Sequence, residues 1–156
     1  MNTTMNVQAK SGSGLSFAIK TGSGHSMLLD TADISPEESQ GPCPTELLLA
    51  ALAGCAGMAI MPILHKMKQT ITEYTIQVTG EKTPQPPQIF HTITVEHHFS
   101  GPNINADVVK RALELVEKRY CSVGAMLEAN VHVTHVAHVH PTSITNTTNG
   151  DIHGST

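Results

Sequence analysis

Tryptophan is absent from this chain, and only Phe17, Phe90, Phe99, Tyr74 and Tyr120 are aromatic. Leu, Ile, Val, Met and Ala must therefore fill the interior of whatever fold it adopts. Basic residues are scarce as well. Nine Lys and Arg against thirteen Asp and Glu give a formal charge of −4, which leaves no basic patch to follow phosphates and argues against a nucleic-acid partner. The N-terminal MNTTMNVQAKSGSG has neither a charged start followed by an apolar run nor a cleavage site, so no secretory signal is read there and a cytoplasmic location is expected. The three cysteines are an odd number without framework spacing, which points to free or catalytic thiols rather than structural disulfides.

Charge is also missing between Glu46 and His65, in the stretch GPCPTELLLAALAGCAGMAIMPIL at 41–64. A helix apolar all round has no face marked for water and must be enclosed. One modest sheet covers one side only, so an oligomer is expected. The stretch is short for a membrane span, rich in Ala and Gly and interrupted by Pro62, and no membrane association is expected. Pro62 should kink or interrupt the helix by removing the bond to residue 58. Pro44 and Glu46 suit its first turn. Cys55 lies near the middle, between Gly54 and Gly57, where small neighbours let another backbone or a substrate approach the sulfur.

At 156 residues the chain has the length of one domain, expected over 1–140, with residues 141–156 a polar tail that has almost nothing to bury. Leu15–Lys20 alternates, and TGSG at 21–24 supplies the turn of a hairpin into His25–Asp30. Residues 1–14 supply at most a short edge strand, and residues 31–44 are a Pro-rich loop. Two antiparallel strands are expected at 73–82, with Tyr74, Ile76, Val78 and Gly80 on one face, and at 89–99, with Ile89, Ile93, Val95 and Phe99 inward. Asn105 can cap a helix from Ala106 to about Arg119, with Val109, Ala112, Val116 and Tyr120 on one stripe. A short helix just past Cys121 and a final strand at 131–140 complete the ordered chain.

Ten histidines raise the question of a metal. His132, His138 and His140 share one face of the last strand and His135 the other, while His97 and His98 are neighbours on opposed faces. No spacing matches a closed zinc site, so the strand histidines are read as solvent-facing, and neither a metal nor a cofactor is expected.

GPCPTELLLAALAGC at 41–55 and EKRYCSV at 117–123, with a strand pair between them, resemble the OsmC/Ohr family (osmotically inducible protein C, organic hydroperoxide resistance) over roughly residues 15–139. Gly24-His25 and the second cysteine motif resemble its YhfA-like branch in particular. The resemblance implies an α+β fold with antiparallel strands wrapped around a buried central helix, assembled as an intertwined homodimer with active sites between subunits. It implies a thiol peroxidase that reduces organic hydroperoxides in oxidative stress, Cys55 being the peroxidatic and Cys121 the resolving cysteine, regenerated by an external dithiol reductant. The family's arginine from the first sheet has no counterpart, Lys20 being the hairpin's cation. Its glutamate position is taken by Thr45, with Glu46 one residue on. His25, Thr45 and Glu46 are therefore the accessory candidates. The competing reading is a dimeric protein of the same fold that binds a small apolar molecule or senses redox state without efficient turnover.

Overall fold

A computed structural model describes residues 4–31 and 38–142. The chain divides between Gly54 and Cys55, within its longest helix, into two compact units.

The first unit holds strands β1 (Val7–Ser11), β2 (Phe17–Thr21) and β3 (Ser26–Leu29) as an antiparallel sheet in that order. The β2–β3 hairpin turns where the sequence places it. Thr21 N–H donates to the His25 carbonyl at 2.9 Å, and Gly24 takes φ +91°, a left-handed conformation that costs glycine nothing. The N-terminal segment does supply the edge strand, β1, which pairs along β2 from Val7↔Thr21 to Ser11↔Phe17. Of the Pro-rich loop, residues 32–37 lie outside the described residues. Asp30, which is buried, ties its two ends through Oδ1 to Thr31 N–H at 2.8 Å and Oδ2 to Gln40 N–H at 3.1 Å.

Helix α1 (Pro44–Lys66) begins at the proline, as its first-turn preference predicts, and runs on through Pro62 without interruption. Leu52, Ala56, Ile60 and Leu64 are fully buried, a stripe at intervals of four. Leu48 and Met58 remain 44% and 76% exposed. The single chain thus covers one face of a helix that is apolar all round between Glu46 and His65. By length and composition alone α1 would also be able to cross a membrane.

The second unit carries β4 (Glu73–Lys82), β5 (Phe90–Gly101) and β6 (His132–Pro141) in the order β4-β5-β6. The β4–β5 pair is antiparallel, and the odd residues Ile93, Val95, His97 and Phe99 are buried while their even neighbours are part-exposed. Ile89 was expected inward; it is exposed, and Phe90 is buried instead. The register slips between Glu81 and Lys82, pairing Thr92 with Glu81 and Phe90 with Lys82, and a bulge of this kind changes which residue faces the core.

One pairing departs from an all-antiparallel sheet. β5 and β6 run parallel, Thr92↔His132 through Gly101↔Pro141, because the segment between them contains helix α2 (Ala106–Leu115), a π-helical turn (Val116–Tyr120) and helix α3 (Ser122–Leu127), long enough for a crossover. Pro141, expected in the tail, closes β6, and Thr142 N–H donates to the Gly101 carbonyl at 3.1 Å. The rest of the expected tail, 143–156, lies outside the described residues.

Asn105 caps α2 as expected, its side chain accepting from Asp107 N–H at 2.9 Å and Val108 N–H at 3.2 Å. Val109, Ala112, Leu113 and Val116 are buried. Tyr120, expected on the same stripe, is 58% exposed. The helix widens into the π turn at Val116, and the extra residue in that turn carries Tyr120 off the buried face.

Candidate functional site

The π turn ends on Cys121, whose N–H donates to the Val116 carbonyl, five residues back, at 3.0 Å. Cys121 leaves the helical region with φ −94° and ψ 92° and serves as the N-cap of α3, its Sγ accepting from Gly124 N–H at 3.3 Å. It is 3% exposed. The residue count between Val116 and Cys121 therefore fixes where the chain turns and where the sulfur points.

Cys55 of α1 meets this turn. Its Sγ is 3.9 Å from Ser122 Oγ and interacts with the Cys121 thiol and the backbone of Ser122 and Val123. Both cysteines are free. They differ in character. Burial raises the pKa of Cys55, but the Val123 backbone hydrogen bond and those of Cys121 and Ser122 outweigh it, so the thiol is held below its ordinary value. Cys121 is pushed up to about 11, by burial first and then by its hydrogen bond to Cys55, against the opposing Gly124 N–H. One sulfur is thus prepared to ionise and the other to keep its proton. A place at the start of α3 does not make Cys121 the thiolate. The helix's first-turn N–H groups serve Cys55, while Cys121, as the cap, is the more deeply buried sulfur.

An apolar groove of about 530 Å³ is lined by Met58, Pro62, Ile63, Met67, Leu115 and Tyr120, with Lys66 among them and neither cysteine in its lining. Met58 lies one helical turn beyond Cys55, and Tyr120 precedes Cys121 in the chain, so the groove adjoins both sulfurs' elements.

The accessory candidates lie in the first unit, each with local partners. Glu46 Oε2 accepts from Cys43 N–H at 2.8 Å, which is the return half of a capping box, with Cys43 at the N-cap and Glu46 at the third helical position. Thr45 Oγ1 is 3.2 Å from the Cys43 sulfur. His25 Nδ1 is 3.0 Å from Ser23 Oγ, and its N–H donates to Thr21 Oγ1 at 3.1 Å, so it stitches the hairpin turn. Cys43 itself, between Pro42 and Pro44, is buried.

Sequence reading missed a second polar cluster. His97, expected to face solvent, is fully buried. Tyr74 Oη lies 2.7 Å from its Nδ1 and His135 Nδ1 lies 3.0 Å from its Nε2, so both ring nitrogens are satisfied. Burial, then the neighbouring His135 and His98, lower its pKa to about 3. The inward parity of residue 97 was legible, but a histidine among Val95 and Phe99 reads as an interruption of the pattern unless its partners from other strands are known.

The geometry has relatives. The family model for OsmC-like protein matches residues 36–136, a span that takes in both cysteines. Protein YhfA of Escherichia coli K12 is 31% identical over 131 residues, 84% of this chain and 95% of its own length. Among solved structures, the OsmC-like protein from Mycoplasma pneumoniae superposes with a TM-score of 0.77 at 19% identity, covering 89% of this chain and 99% of its own. The organic hydroperoxide resistance protein OhrB of Bacillus subtilis gives 0.63 at 19% identity, with 87% and 98% covered. At those identities the structures speak for the fold, while the model match and the YhfA identity speak for descent. The chain that brings Cys55 of its apolar helix to the π-turn cysteine Cys121 belongs to the OsmC-like family.

Proposed function

We propose that the protein is a thiol-dependent peroxidase that reduces organic hydroperoxides through Cys55 and Cys121. The observation that carries this reading is the meeting of Cys55 with the turn that holds Cys121, its Sγ 3.9 Å from Ser122 Oγ and in a hydrogen bond with the Cys121 thiol, so that one thiol is held below its ordinary pKa by donors at the start of α3 and the other above it. The Cys55 thiolate attacks the outer peroxide oxygen of ROOH, the O–O bond breaks, and the alkoxide leaves as ROH after taking a proton, with Cys55 now a sulfenic acid. The Cys121 thiol attacks that sulfur and its proton departs with the sulfenic hydroxyl as water, leaving a disulfide. An external dithiol then reduces the disulfide and is itself oxidised. Two electrons pass from the dithiol to the peroxide in each cycle.

The missing arginine is met by a different device. Hydrogen bonds from backbone and thiol supply what a cation would otherwise supply, and such bonds lower a thiol pKa without a charge. The apolar groove favours an alkyl chain on the peroxide over hydrogen peroxide. The functional unit is a homodimer, supported by the exposed apolar face of α1. That face is a subunit contact rather than a membrane span, since the family's fold makes this helix its central one. His25, Thr45 and Glu46 act in positioning the hairpin and the helix start.

Incubating the reduced protein with cumene hydroperoxide and dithiothreitol tests the reading. Peroxide is consumed over many turnovers, Cys55→Ser abolishes consumption, and Cys121→Ser leaves a sulfenic acid that dimedone traps at Cys55. Cys55 and Cys121 thiols left intact by a large excess of peroxide without dithiothreitol overturn it. A single oxidation without turnover leaves a redox sensor in its place.

A further inference from the structure

We propose that Glu96, His98 and His138 form a binding site for a divalent transition-metal ion of the zinc class, on the outward face of the second sheet between β5 and β6. The parallel register sets it up. His98 stands directly opposite His138, and adjacent strands lie about 4.8 Å apart, so the two imidazoles stack with centroids 4.5 Å apart and planes 13° from parallel. Glu96 precedes His98 by two residues and so shares its face. Its Oε1 lies 3.3 Å from His138 Nε2.

One donor atom from each of the three side chains falls within 4.8 Å of the others. A tetrahedral ion with bonds of about 2.0–2.1 Å separates its ligands by about 3.3–3.4 Å. The Glu96–His138 edge already has that length. The widest separation must close by up to about 1.5 Å, a rotation available to side chains that are half-exposed, as Glu96 and His138 are at 36% and 38%. The same exposure lets an ion enter from solvent.

Two imidazoles and one carboxylate are a mixed nitrogen and oxygen set. It suits zinc, cobalt, nickel or copper, and not magnesium or calcium, which take oxygen ligands. His140, on the same face of β6, stacks 5.8 Å from His98 with planes 3° from parallel. It stands next in line as a fourth donor, with water otherwise completing the shell. An ion here cross-links β5 to β6, which among the described residues is an edge strand with one ladder to hold it. The absence of a zinc spacing along the chain is no obstacle, because the donors come from two strands and Glu96 and His138 are 42 residues apart.

Thiols also take zinc, so the test separates them. Untagged, metal-free protein with Cys55, the one thiol that is not buried, blocked by iodoacetamide is titrated with zinc chloride against a chromophoric chelator. One ion binds per chain, His98→Ala and His138→Ala each weaken binding about tenfold or more, and the near-isosteric Glu96→Gln weakens it too. His132→Ala, on the same face but outside the cluster, leaves it unchanged. Zinc raises the melting temperature of the blocked protein but not of His138→Ala. In the unblocked reduced protein, cobalt gives ligand-field bands without thiolate charge transfer. No saturable zinc binding after blocking, or equal affinity in His138→Ala, overturns the site; thiolate charge transfer with no binding after blocking moves the ion to the cysteines.

Discussion

The hydroxyl of Tyr74 and Nδ1 of His97 are 2.7 Å apart, and that contact stacks Tyr74, His97 and Phe99 into one near-parallel set of rings within the second unit. It holds a histidine neutral where a charge would be costly. Because His97 in the fold has a pKa near 3 and the unfolded chain protonates at about 6.5, the unfolded state takes up the extra proton. Stability is full above pH 6.5 and is lost as the pH falls from there toward 3. Unfolding free energies from urea titrations at pH 7.0 and pH 4.5 should differ by an amount on the order of 2 kcal/mol from this histidine. His97→Phe, which removes the titrating group, should flatten that dependence.

Removing one member of the relay should cost stability at neutral pH as well. Tyr74→Phe leaves the buried Nδ1 of His97 without its partner, an expected loss of about 1–3 kcal/mol. Chemical denaturation at pH 7.5 measures it.

Alkylation of Cys55 by iodoacetamide should rise with pH along a curve whose midpoint lies below that of an ordinary thiol, because hydrogen bonds stabilise its thiolate. Cys121→Ala deletes one of those bonds and should move the midpoint upward. Peptide mass spectrometry resolves Cys55 from Cys43 and Cys121, both of which are buried and should react slowly.

The exposed face of α1 makes a prediction about concentration. Met58 is 76% exposed on an apolar helix, and if that face is the subunit contact, Met58→Asp should dissociate the dimer by burying a charge without a partner. Sedimentation velocity across a dilution series checks this, and a wild-type monomer at all concentrations would count against the dimer.

A methyl group at Gly101 should be poorly tolerated. Its Cβ would run into the Thr70 carbonyl oxygen, a clash that only backbone movement relieves. Gly101→Ala is expected to cost more than about 1 kcal/mol, read as a lowered urea midpoint with unchanged slope.

Much of this molecule was legible in its sequence where neighbours along the chain decide the outcome. Gly24 marked its turn, Pro44 and Glu46 marked the start of α1, Asn105 marked its cap, and the alternation of Tyr74, Ile76 and Val78 marked β4. Local chemistry misled at two places. Pro62 does not stop α1, whose apolar length outweighs one missing hydrogen bond, and Ile89 lost the inward position to Phe90 through a bulge no propensity encodes. The features with most chemical content join residues far apart. His97 with Tyr74 and His135, His98 with His138, and Cys55 with Cys121 become neighbours only through strand order and the crossover. The cysteine pair came into view through resemblance to a family, not through spacing, and the reason Cys55 is the more acidic of the two was visible only in the turn that receives it.

The π turn before Cys121 makes this site sensitive to a kind of change that ordinary substitution scans pass over. Side chains at 117–120 can vary while the backbone still reaches from the Val116 carbonyl to the Cys121 amide. Deleting any one of those residues would restore the regular four-residue repeat and turn everything beyond it by about 100°. The sulfur would then swing away from Cys55 with its amino-acid identity unchanged. An insertion or deletion here would part the two sulfurs while leaving both cysteines in the chain.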